Sequence, residues 1–206
     1  MYCEVGSEPY EVRRINQKGV GAVKKLWRVL WVVLLIAFSA ANTQASTKML
    51  GTVNCGVKNM FSDRYERGEM DMYVDDAGRL YFSVNRQAAY ITMDDFKAFF
   101  LALKKSKEWG QISIANSLEA SKKLASFMRE RDYAEHGVSL TFHSAHTNHT
   151  FWWVYMKLNA FDNPLIEREV SLDPEDVDAV MRMMGRYPDA VNALRQSKGR
   201  ADKLLR

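Results

Sequence analysis

Two cysteines in 206 residues leave this chain almost no means of covalent cross-linking. Cys3 lies so near the start that removal of an N-terminal leader would take it away, and Cys55 alone cannot close an internal disulfide. Cys55 stands in Thr52-Val53-Asn54-Cys55-Gly56-Val57, whose alternation reads as a strand and makes the thiol a small buried hydrophobe. Catalytic signatures are missing as well. There is no nucleophile elbow, P-loop, dinucleotide fingerprint, HExxH, CxxC or calcium-loop spacing. The adjacent acids Asp75-Asp76 and Asp94-Asp95 fit a turn and a helix start. Long apolar runs are absent too. The longest spans residues 29–38, ten positions, half of the about 20 that a membrane span needs.

That short run is nonetheless informative. Lys24, Lys25 and Arg28 precede it and the small, polar residues 39–45 follow it, the pattern of a secretory signal peptide. Thr43 and Ala45 supply small residues at the third-last and last positions before a cut, so cleavage is expected after Ala45. No cysteine stands at the exit, which argues against a lipoprotein. Glu4, Glu8 and Glu11 do not suit a basic leader, and a valine codon can start translation, so the true start is expected at Val23. The reading is an exported protein, periplasmic or secreted, with no stable membrane span after cleavage.

Charge changes meaning once the leader is set aside. The whole chain carries +4, but residues 1–45 hold six basic and three acidic groups, which leaves 23 basic against 22 acidic in the remainder. A nearly neutral domain gives no electrostatic footing for nucleic acid. Three segments are expected: residues 1–45 as leader, 46–188 as one domain and 189–206 as a basic C-terminal helix or tail, frayed in solvent.

Alternation predicts a first strand over 48–60, a solvated loop over 62–68 and a hairpin, 70–74 with 80–84, around Asp75-Asp76-Ala77-Gly78. Another strand follows at 88–91. Thr92 then opens a helix whose Phe96, Phe99, Phe100 and Leu103 share a face, closed at Gly110. A second helix is expected over 117–131. Residues 137–143 and 149–158 read as strands, Asn163-Pro164 breaks the chain, and 165–172 reads as a strand. Asp173-Pro174 starts a helix, and Pro188 stops it before a last one opened by Asp189. Shifting the first helix by 81 residues lays its apolar positions on Val177, Val180, Met181 and Met184, and Asp95 on Asp176. The fold class is therefore α+β: an antiparallel sheet with helices on one face, built on a duplicated strand–strand–helix unit related by a pseudo-two-fold.

Two clusters are candidates for function. His143, His146 and His149 recur at every third position, and imidazole is a common ligand of zinc and copper. Pairing His143 with His149 would put both rings on one face. Pairing Ser144 with His149 would separate them and align Phe142 with Phe151. The strand that follows is apolar on both faces, as in a central strand. Its Trp152, Trp153 and Tyr155, extended by Trp109 and Phe161, would alternatively offer an aromatic surface to a partner protein or a sugar chain. The leading reading is a non-catalytic binding protein with a protein or cell-envelope partner, with room for a homodimer. Behind it stand a metal-binding protein using the three histidines, then a secreted hydrolase whose site is assembled from distant residues.

Overall fold

Alternating apolar residues build most of this molecule. The computed structural model describes residues 46–204 except 60, 63, 132–133 and 161–166. The leader with Cys3, Val23 and Ala45, the aromatic Phe161 and the break at Asn163-Pro164 lie outside the described residues. The strands are β1 (Thr47–Lys58), β2 (Tyr65–Asp75), β3 (Leu80–Val84), β4 (Gln87–Ile91), β5 (Ala120–Arg131), β6 (Ala134–His146), β7 (Thr150–Asn159) and β8 (Glu167–Leu172). The described helices are α1 (Met93–Asn116), α2 (Pro174–Met184) and α3 (Tyr187–Leu204). The strands form one antiparallel eight-stranded sheet in the order β4-β3-β2-β1-β8-β7-β6-β5. The fold is α+β. No helix of the described residues is long and apolar enough to cross a membrane.

The sheet order makes the internal repeat explicit. Four strands and a helix occur twice, and the run β4-β3-β2-β1 is followed by β8-β7-β6-β5 in the same sense. With every pairing antiparallel, each strand runs in the same direction as its counterpart four places along. The units thus repeat in the same sense along the curled sheet, and each has four strands rather than two. The 81-residue shift reaches beyond the helix faces. Thr92 and Asp173 are the two N-caps, and Asp95 and Asp176 complete a capping box in each. Ile91 and Leu172, both buried, end the preceding strands.

One face of the sheet carries the core. Met70, Met72, Leu80, Phe82, Leu140, Phe142, Val154 and Met156 are fully buried there. α1 lies across β5, β6 and β7, α2 against β1, β7 and β8, and α3 against β1 and β2. The sheet curls around this core until the edge strand β4 touches β6 and β7. Its other face is the convex outside.

Several segments differ from the sequence reading. Residues 117–131 were expected to be helical, yet Ser117 adopts left-handed φ 52 and Leu118 N bonds back to Ser113 O, which ends α1. The chain after it is the edge strand β5, paired with β6 from Ala120↔Ser144 to Arg131↔Ala134. A bulge between Lys123 and Ala125 turns Ala125 and Phe127 toward the core opposite Leu140 and Val138. Gly110 does not close α1. It lies inside it, because a Cβ there would come 2.2 Å from the Trp152 indole nitrogen. β2 begins at Tyr65, within the expected loop. Pro188 sits in the first turn of α3 rather than ending α2, which suits its fixed φ. α3 is no frayed tail at its start, since Tyr187, Ala190, Val191 and Leu194 are buried.

Candidate binding face

β7 carries two messages on alternate positions. Trp152, Val154, Met156 and Leu158 point into the core, while Phe151, Trp153 and Tyr155 lie on the convex side, which no described helix covers. Trp152 is 6 % exposed and packs beneath Gly110 of α1, on the core side of the strand, while its edge still lines a hollow with Phe151 and Trp153. Phe151 is 43 % exposed, and Trp153 and Tyr155 are half-buried.

Register supplies the next member. β6 pairs with β7 through Phe142↔Val154, His143↔Trp153 and His146↔Thr150. This is neither of the two pairings anticipated for the hairpin. It leaves only a three-residue turn, Thr147-Asn148-His149, and aligns Val138, Leu140, Phe142 and Ser144 with the buried positions of β7. A long, uninterrupted core ladder outweighs the few aromatic pairs that favoured the alternatives. His143 consequently lies among aromatics. Its ring is stacked on Trp153 (5.6 Å, 14°) and edge-on to Tyr155 (4.6 Å). Phe151 also stacks on Trp153 (5.3 Å, 22°). Burial, opposed by the Glu169 carboxylate, lowers the His143 pKa, which favours the neutral ring.

The fifth ring comes from across the sheet. Tyr65 of β2 stacks on Tyr155 of β7 at 5.2 Å and 15°, with β1 and β8 lying between their strands. They meet because the intervening pair is Gly56↔Ser171. A Cβ at Gly56 would stand 3.3 Å from Ser171 Cβ and 3.5 Å from Tyr65 Cβ. The Tyr65 hydroxyl donates to Glu169 Oε1, and burial together with that carboxylate raises its pKa far above the ordinary phenol value. Trp153 Nε1 is buried without a hydrogen-bond partner, a defect worth about 1–3 kcal/mol. Tyr65 and Gly56 escaped the sequence reading. A glycine inside a strand was the one available signal, since it marks a close approach of other groups.

The histidines do not assemble. His146 Nδ1 lies 2.7 Å from Thr150 Oγ1, and His149 lies in the turn with its ring 6.3 Å from that of Phe151. The fourth, His136, is buried with Nδ1 3.0 Å from Ala160 O. Among the described residues no three His, Cys, Asp or Glu side chains are grouped to hold a metal ion, zinc and copper included.

Other ionisable groups are structural. Asp75, fully buried, accepts from Arg79 N (2.8 Å), Arg79 Nε (2.6 Å) and the Tyr81 hydroxyl (3.1 Å). Tyr73, Tyr81 and Tyr90 pack beside it. Cys55 is buried, and burial with the nearby Asp176 carboxylate pushes its thiol up to about 12, so it stays protonated and is no nucleophile. Asp176 itself is 6 % exposed. Burial, with repulsion from Asp173, raises it to about 6 against the bond from Asp173 N and the attraction of Arg67.

A folded-state pKa above the unfolded 3.8 stabilises the fold below pH 4, and that contribution disappears as pH rises through about 6. A shift of about two units corresponds to up to about 3 kcal/mol. Urea unfolding of Asp176→Asn should therefore lack a decline between pH 4 and pH 7 that the parent protein shows. Parallel pH profiles would contradict this.

No protein-family model, no curated protein and no solved structure matches the chain.

Proposed function

We propose that this is an exported, non-catalytic binding protein that holds a protein partner of the cell envelope on its convex aromatic face. The observation that carries the reading is the five-ring cluster His143, Phe151, Trp153, Tyr155 and Tyr65 on a sheet face that no described helix covers. Tyr, Trp and Phe are enriched where proteins meet. A sugar chain needs an exposed ring face to stack on, and here the rings largely occupy one another's faces. Export is supported by the basic, apolar and small segments that precede Ser46. The metal-binding and hydrolase readings gain no supporting geometry among the described residues.

One experiment addresses both halves. A photo-crosslinking amino acid at Phe151, in cells, should capture a discrete protein, and the captured chain should begin at Ser46. The same probe at Leu101, on the outer side of α1, should not capture that protein. Equal capture from both positions, or a chain that retains residues 1–45, would refute the reading.

A further inference from the structure

Away from the aromatic face, the C-terminal half of α1 presents a different surface. Eight large apolar side chains of the described residues are exposed, and two of them are here: Ile112 of α1 at 52 % and Leu118 just after it at 47 %. Beside them the half-buried Trp109 ring has two ammonium groups close by, Lys105 Nζ at 4.7 Å and Lys122 Nζ at 5.4 Å from its centroid. A hollow of about 250 Å³ opens next to it, lined by Trp109, Ile112, Ser113, Leu118, Ala120 and Lys122 among others. Three lysines elsewhere on the surface pair with acids: Lys107 with Asp178 (2.5 Å), Lys157 with Glu167 (2.6 Å) and Lys198 with Asp76 (2.7 Å). Lys105 and Lys122 have no carboxylate within ion-pair distance among the described residues, and Lys104 and Lys123 add further exposed positive charge.

We propose that this corner of α1 and β5 docks on an anionic phospholipid bilayer, with the lysines on the headgroups and Ile112, Leu118 and the edge of Trp109 in the acyl boundary. Exposed apolar side chains interleaved with unpaired lysines, around a tryptophan, are the chemistry of interfacial segments. The charge complementarity favours lipid over protein, because lysine is depleted where proteins bury their contacts but is attracted to anionic headgroups. The residues proposed to meet the bilayer are not those of the aromatic cluster, although Ile114 at the end of α1 lines a hollow with Phe151 and Trp153.

The test reads the corner itself, so that the apolar leader does not mask it. A polarity-sensitive fluorophore is attached to Ile112→Cys in the full chain carrying Cys3→Ser. Vesicles of phosphatidylglycerol mixed with phosphatidylcholine should shift its emission to the blue, and vesicles of phosphatidylcholine alone should not. Lys105→Gln with Lys122→Gln should raise the lipid concentration at the midpoint about 30-fold, from about 1 kcal/mol per lysine. Lys48→Gln with Arg64→Gln, an equal charge change elsewhere, should leave it in place. No blue shift, a shift on neutral vesicles, or the same displacement by both double variants would overturn the proposal.

Discussion

Phe99→Ala should cost the fold about 4 kcal/mol, within the range measured for deleting a buried phenylalanine. Phe99 is fully buried in α1, with its ring 5.1 Å from that of Phe82 on β3 and 5.6 Å from that of Phe127 on β5. β3 and β5 lie near opposite ends of the sheet order. The residue therefore fastens the two ends of the curled sheet as well as filling its centre, and each aromatic pair adds about 0.5–1.5 kcal/mol beyond the area it buries. Against a total stability of about 5–15 kcal/mol, the loss leaves a marginal protein. Leu101→Ala, two residues on but 51 % exposed, should change stability by no more than about 0.5 kcal/mol. Urea unfolding of the two variants measures the contrast. Equal midpoints would mean that the sheet holds its curl without α1.

The sequence announces elements that bury one clean face. β3, β6 and β7 alternate, and Asp173-Pro174 starts α2 where its side chain accepts from Glu175 N and Asp176 N. The strand patterns work because a half-buried strand must alternate, and the cap works because it is a local hydrogen bond. The repeat was visible only in its helices. Intervening loops of different length hide the strands, and the relation between units follows from sheet order, which sequence spacing does not contain. β5 was illegible for a different reason. As an edge strand with Ser121, Lys122, Lys123 and Ser126 exposed, it carries the polar protection that edges need and loses its alternation at the bulge. Gly110 read as a helix stop because its reason, the Trp152 indole, comes from a distant strand.

The candidate face divides the same way. Trp153 and Tyr155 were readable as one side of β7, but Trp152 is separated from them by the alternation itself. The place of His143 follows from the hairpin register, which short-range pair energies alone could not fix. Tyr65 joins only once β2 is known to lie three places from β7 with a glycine and a serine between.

Trp153→Ala combined with Tyr155→Ala should abolish partner binding for practical purposes. Central aromatic anchors typically contribute 2 kcal/mol or more each, so the pair removes about 1,000-fold in affinity if their effects add. The two rings also organise the rest of the face: Trp153 stacks with both His143 and Phe151, and Tyr155 stacks with Tyr65. Both point away from the core, so their removal should spare the fold relative to Phe99→Ala. Calorimetric titration of the protein captured from Phe151, against the parent chain, this double variant and Leu101→Ala, tests the assignment most directly. A loss of about 1,000-fold confined to the double variant is the expected result. Undiminished affinity in the double variant, with binding lost in Leu101→Ala instead, would place the partner on the helical side and contradict the account.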